Sequence, residues 1–597
     1  MMSARRDRAL LRLAGALLAL SLASPALAIE LLPFEEVRPG MRGIGRTVFK
    51  GNQIEDFEVE ILGRLKNIGP RQNLILARLS GGPLERTGVL AGMSGSPVYA
   101  DGKLIGAIAY SWPFASEPIA GITPIHEMLR MLERDRRPGL RAAAGESIDL
   151  SGRVLSPDAL REALDTWSRR LKFHSRAGGP VQATLPLLLS GFHPGATEEI
   201  GRLLGVQPVQ SGSSASSSAP ITELAPGSPV GARLIGGDLE ATAIGTVTHR
   251  EGDQILAFGH PLLNLGPTEI PMTTATVEAL LPSLSTSFKF ASGGPVVGSI
   301  LEDRLPGLYG RLGLEPRTVP VRVEITTDSP RPRIFNLELV EDPLLTPLLL
   351  YVSLLNLISL EGSGLGEVTV ALSPGSVIQV LGSEGVQLAN MFSGSQSSFL
   401  ASLTVAYIVY IIMNNEYRDA PIGAVNLLMQ LTPGRRSARL GQVWTEQPWG
   451  VPGSNLDVYV EVLAQRERSR VEKITLEIPE EAVEGRALLQ VGDALSLARA
   501  EGHAAGAAPR DLDHLIWLIN HLRRNDRLYV NLAQADTGLF VEGERLPNLP
   551  PTQSVLIAPP QRGSGVVQLP LRGLAEEYLP VDATIEGHRL LYLEIRH

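Results

Sequence analysis

Hydrophobic and polar positions alternate with a period of two over much of the first third of the chain, the spacing of half-buried β-strands. Residues 43–49 and 57–62 read as strands about the turn Lys50-Gly51-Asn52, and residues 74–79 read as another. The run Ala91-Gly92-Met93-Ser94-Gly95-Ser96-Pro97-Val98-Tyr99 then predicts a small-residue turn entering a strand. A tight turn at Asp101-Gly102 and a second strand follow it. Residues 125–132 change to helical spacing and close a compact β module.

Farther along, residues 157–171 and 197–204 have helical spacing, and residues 210–220 are Ser-rich, the composition of a flexible linker. A second β module follows. Its strands 243–248 and 254–258 are joined by the turn 250–253, and the second strand ends in Gly259-His260-Pro261. Residues 319–325 and 334–340 are further strands. Beyond about residue 361 the pattern changes. Residues 456–462 and 471–478 alternate like strands of a small sandwich, and residues 511–523 predict an amphipathic helix. Residues 527–532, 538–542 and 590–595 read as strands. Residues 344–360 and 399–413 are almost wholly apolar, yet short of the roughly 20 residues that span a bilayer. They are expected to be packed core elements.

With 597 residues the chain is too long for one core. The reading is a mostly β, multidomain protein divided into 1–28, a signal peptide; 29–135, a first β module bearing Ser94; and 136–230, a mixed segment with the linker. Residues 231–345 form a second β module bearing His260, and 346–450 an apolar mixed α/β region. Residues 451–500 are β-sandwich-like, and 501–597 are a C-terminal α/β region.

The leader is read from Arg5, Arg6, Arg8 and Arg12 before an apolar stretch, ending in Ala26-Leu27-Ala28. Its removal takes away four Arg and one Asp, so the formal charge moves from −9 to −12. An acidic chain without a basic block argues against nucleic acid or an anionic membrane surface as a partner. No cysteine is present, which excludes disulfides, thiol chemistry and zinc–thiolate sites. The expectation is an exported periplasmic or extracellular protein with no stable membrane span after the leader is cut.

The turn around Ser94 carries the chemistry. A G-x-S-G-x-P turn exposes its serine hydroxyl and aims the backbone N–H groups of Gly92 and Ser94 at one point, where an oxyanion can be held. Residues 88–129, with Gly92-Met93-Ser94-Gly95-Ser96-Pro97 and Asp101-Gly102-Lys103-Leu104-Ile105-Gly106-Ala107, resemble the catalytic core of the SpoIVB serine peptidases. Ile244-Gly245-Thr246-Val247-Thr248, Ala257-Phe258-Gly259-His260 and Gly307-Leu308-Tyr309-Gly310 resemble that family's histidine-bearing strands. The resemblance implies a chymotrypsin-like double β-barrel, with Ser94 as nucleophile and His260 as general base. The substrate would be a protein or peptide, the chain itself included.

The order is swapped, because the family places its histidine before its serine. The two halves must therefore assemble in a permuted connection or between two chains. No acid stands where the family orients its histidine. Asp253, Glu269 and Asp303 are the candidates, with a Ser-His dyad as the other solution.

Lys103, in the hairpin turn after the serine, is expected to face solvent rather than to form a Ser-Lys dyad. His514 and His521 lie seven apart on one helix without a third ligand, which reads as a solvated face and not a metal site. No phosphate-binding glycine loop implies a nucleotide, so no cofactor is expected. The rival reading is a catalytically inactive, peptidase-like binding or envelope scaffold.

Overall fold

The computed structural model describes residues 30–69, 72–112, 114–132, 154–175, 186–211, 223–329, 331–362, 366–464, 469–501, 509–535, 539–541, 544–546, 566–568 and 571–596. The leader, and most of the Ser-rich linker, lie outside the described residues.

Six strands close a first barrel. They are β1 (Arg42–Val48), β2 (Ile54–Gly69), β3 (Gln72–Ser80), β4 (Pro97–Ala100), β5 (Lys103–Ser111) and β6 (Ile119–Pro124). They are hydrogen-bonded in the order β1-β2-β3-β6-β5-β4, with β4 returning to β1. The period of two explains which faces turn inward. Along β2, Phe57, Val59 and Ile61 are buried and join Ile75, Ala77, Leu79, Val98 and Ile108 in one core. On the other face Glu58 meets Ser80 and Glu60 meets Arg78.

Strands β7 (Pro186–Ser190) and β8 (Gln207–Gln210) flank the helix Pro194–Leu204 and lead into a second set. That set comprises β9 (Pro229–Gly237), β10 (Glu240–Glu251), β11 (Gln254–Ala257), β12 (Gly266–Leu281), β13 (Phe288–Arg304) and β14 (Gly307–Leu312). Pairing runs β9-β12-β13-β14-β11-β10, and β10 pairs again with β9, so these six strands also close on themselves. The architecture is thus mostly β and multidomain, with the two six-stranded barrels of a chymotrypsin-like fold.

The second ring continues into a larger sheet. Strand β10 pairs with β7, and β9 pairs with β16 (Arg333–Val340), which follows β15 (Thr318–Thr326). Strands β17 (Val368–Val380), β18 (Val386–Phe392) and β19 (Ile422–Pro433) extend it, β15 pairing in parallel with β19.

The two barrels meet along the hairpin of β12 and β13, where Gly51 bridges to Val277 and Ala91 to Phe288. Met128 and Met131, just after β6, pack with Leu256 and Tyr309 of the second barrel.

The two apolar stretches are the helices Leu345–Glu361 and Ser397–Met413, buried on nearly every side against each other and the extended sheet. A helix that is apolar all round belongs inside. Its buried Asn356 is satisfied there: the side-chain amide donates to Gly191 O at 3.0 Å and accepts from His193 N at 2.7 Å. Among the described residues no helix is long and apolar enough to cross a membrane.

The described residues between 437 and 595 include a four-stranded and a five-stranded sheet that share a core with Val458, Val460, Leu489, Val530 and Leu593. Strand pairing crosses the positions 345/346, 450/451 and 500/501. The pairs are β15 with β19, Ser437–Thr445 with Asn455–Ala464, and Gly485–Gly492 with Arg527–Ala535.

Candidate active site

Ser94 lies in the turn between β3 and β4, between two glycines with positive φ, Gly92 at 95° and Gly95 at 96°. L-residues with a side chain rarely adopt that conformation. Gly95 is fixed by space as well, since a Cβ there would stand 2.0 Å from Thr246 O and 2.5 Å from Phe258 N.

The second barrel grips the turn through its carbonyls. Thr246 N donates to Ser94 O at 2.8 Å, Thr246 Oγ1 to Gly92 O at 3.0 Å, and Thr248 Oγ1 to Gly95 O at 2.7 Å. From the other side Ala91 N donates to Ser287 O at 2.8 Å, and Lys289 N to Ala91 O at 3.0 Å. Among the described residues the N–H groups of Gly92 and Ser94 donate to nothing, which leaves both available to an oxyanion.

Gly95→Ala is expected to cost at least about 3 kcal/mol, from overpacking against the second barrel added to backbone strain. Gly102→Ala is the control, because Gly102 shares the positive φ but has nothing within 4 Å of its added Cβ. It should lose only about 1–2 kcal/mol in a urea melt.

His260 is delivered by the end of β11. Phe258 and Gly259 both sit at φ 69°, a strained conformation for an aromatic residue, and turn the chain toward Ser94. Thr123 Oγ1 ties Gly259 O at 2.6 Å, so the first barrel helps to hold that turn. His260 Nε2 lies 3.0 Å from Ser94 Oγ, and His260 Nδ1 lies 2.8 Å from Pro261 O.

A carbonyl can only accept, so Nδ1 carries the imidazole proton and Nε2 is left to accept from the serine hydroxyl. That tautomer can take a proton from Ser94. The sequence separation of 166 is bridged within a single chain. Burial pushes the imidazole down to about 4, with the Pro261 carbonyl pulling the other way.

No candidate acid touches the histidine. Asp253 pairs with Arg311 at 2.7 Å and Glu269 with Arg317 at 2.7 Å, both toward the surface. Asp303 is fully buried and serves the loop after His260. It accepts from Leu262 N at 2.8 Å, Leu263 N at 2.8 Å and Leu265 N at 3.1 Å. Burial pushes its carboxyl up to about 6 against the pull of the Leu263, Leu265, Leu262 and Asn264 amides. Of the two arrangements the sequence left open, the geometry matches a Ser-His pair whose Nδ1 faces a backbone carbonyl, with Asp303 acting on the loop that carries that carbonyl.

Lys103 faces out and pairs with Glu30 at 3.1 Å. His521 stacks on Trp517 with ring centres 4.1 Å apart, and its Nδ1 lies 2.7 Å from Trp517 O. Reasoning from sequence missed Thr246, Thr248 and Lys289. The two threonines had a signal, since their spacing of two in a strand puts both hydroxyls on one face.

Ser94 and His260 are 0% and 1% exposed, so the pair is closed to solvent. A groove of about 210 Å³ opens beside Thr87, Gly88 and Val89, the segment leading into the serine turn. Trp112, Phe114 and Leu284 form part of its wall.

Residues 23–129 match the family model of the SpoIVB peptidase S55. The S55 match covers the described first barrel and the Ser94 turn and ends at the last residue of the helix Ile125–Leu129, so the His260 barrel lies beyond it. It supports a serine peptidase. No curated protein and no solved structure matches the chain.

Proposed function

We propose that the protein is an exported serine endopeptidase that hydrolyses peptide bonds through an acyl-enzyme. Ser94 attacks the carbonyl carbon. His260 Nε2 takes the hydroxyl proton and returns it to the leaving amine. The N–H groups of Gly92 and Ser94 hold the oxyanion. Water then repeats the sequence on the ester. The observation that carries this reading is the 3.0 Å approach of His260 Nε2 to Ser94 Oγ, with Nδ1 turned to a carbonyl that selects the basic tautomer. The substrate is a protein or peptide, in trans or within the chain, that enters once the closed pair opens. The Arg-rich leader ending in Ala26-Leu27-Ala28 supports export to the periplasm or beyond.

The test is labelling of the purified chain with a fluorophosphonate probe, with the modified peptide identified by mass. The expected result is a single adduct on Ser94. A competing reading, the inactive scaffold, draws on the complete burial of Ser94 and on the carbonyl that stands where a carboxylate would strengthen the base. A wild type that stays unlabelled under every condition of salt, pH and detergent would favour the scaffold.

The acid side of the labelling profile follows from His260. The imidazole must be neutral to act as base, and its pKa is lowered to about 4. The rate should rise with pH through about 4 and already be level at pH 6. An acid limb centred at 6.5 would contradict the buried geometry.

A further inference from the structure

Lys289 is a fully buried ionisable group, among the described residues, that the proposed chemistry leaves unused. It opens β13, is 1% exposed, and reaches from the second barrel beneath the serine turn of the first. Its stem lies against Gly92, where an added Cβ would stand 3.3–3.4 Å from Lys289 Cδ, Cβ and Cγ. Its Nζ donates to Thr47 Oγ1 at 2.6 Å, and Ser96 Oγ donates to the same oxygen at 3.1 Å.

The groups that face it are therefore the hydroxyls of Thr47 on β1 and, through Thr47, of Ser96, with the backbone of Ala91 and Gly92 above. Among the described residues it has no carboxylate partner. Burial alone acts on the ammonium, drawing it down to about 7. The chain holds 54 Lys and Arg, of which six are Lys, so a lysine is the rare choice here. Of the two, lysine is the cation whose charge a buried site can switch.

We propose that Lys289 is a positioning residue for the oxyanion turn, its buried side chain, when protonated, placing positive charge beneath the Gly92–Ser96 backbone that holds the oxyanion. This rests on the Ser94–His260 reading. A positive charge buried behind the turn that receives a forming oxyanion favours the state in which the negative charge has developed. The same ammonium without a counter-ion costs folding free energy, which is why a purely structural role would favour an apolar side chain at this position.

The experiment has two arms. In the first, the full chain is labelled with [13Cε]lysine, and its six side chains are titrated by NMR with and without phenylboronic acid. That acid forms an anionic tetrahedral adduct on an activated serine. Lys289 should titrate near 7 in the free protein, and its midpoint should rise by about one unit with the adduct, equivalent to about tenfold tighter binding of the anion to the charged form. In the second arm, Lys289→Met should keep or raise its melting temperature yet label with fluorophosphonate about 30-fold more slowly at pH 6.

Wild type should lose labelling rate above about pH 7, Lys289→Met should lack that alkaline limb, and Lys289→Arg should restore the rate and stay fast at pH 9. Labelled wild type with an unmoved Lys289 midpoint, or Lys289→Met as fast as wild type, overturns this inference alone. Wild type that neither labels nor binds boronate overturns the proposed function and this inference with it. The first arm uses unmutated protein, so it decides even if the variants fail to fold.

Discussion

Ser94→Ala and His260→Ala are each expected to lower peptide hydrolysis by about a million-fold, and the double variant should be no slower than either single one. In the proposed mechanism the two side chains perform one step. The hydroxyl is a poor nucleophile until Nε2, 3.0 Å away, removes its proton, and the imidazole has nothing to act on once the hydroxyl is gone. In serine proteases, effects of that size are grossly non-additive, and the residual rate comes from the oxyanion hole and substrate binding. Asp253→Asn serves as control. Its carboxylate is engaged by Arg311 near the surface, so hydrolysis should be unchanged. Additive losses in the double variant would mean that Ser94 and His260 act in separate steps, and the shared-site reading would fail.

Asp303→Ala is expected to cost at least about 4 kcal/mol of stability and to abolish hydrolysis, although Asp303 touches neither Ser94 nor His260. Its two oxygens take backbone N–H groups of Leu262, Leu263 and Leu265 at a fully buried position. Each buried donor left unpaired costs about 1–3 kcal/mol. The loop they belong to begins at Pro261, whose carbonyl sets the tautomer of His260.

Asp303→Asn keeps one acceptor oxygen and turns an NH2 toward N–H groups. It should cost about 2–3 kcal/mol and leave a slow enzyme. Urea melts give the stability, and hydrolysis gives the loss of rate. The pH dependence gives a third readout. The folded pKa of about 6 lies above the ordinary 3.8, so the folded chain binds more protons than the unfolded one between those values. Ionisation of Asp303 therefore takes stability away as pH rises through that window. Asp303→Asn should flatten that part of the profile. A variant as stable and as active as wild type would show that the loop holds itself.

The local features were legible because they depend on neighbours in sequence. Alternation along residues 57–62 gave β2, and the glycines around Ser94 gave a turn that only glycine can make. The all-apolar runs that became Leu345–Glu361 and Ser397–Met413 could only be buried. The chain by itself also determined that no thiol chemistry is possible, and that a serine and a histidine stand at the ends of strands in separate modules.

Only the tertiary structure decided how those modules combine. Closure of β9 through β14 into a second ring depends on β9 meeting both β10 and β12, a choice of register that no short stretch encodes. The partners that shape the site are contacts between residues far apart in the chain: Thr246 on Gly92, Lys289 on Thr47, Asp303 on the loop after His260. A hydrogen bond is made over about 3 Å of space whatever the length of chain between its ends. The alternation of side chains could therefore tell which residues turn inward, and only the closed barrels could tell which of them meet.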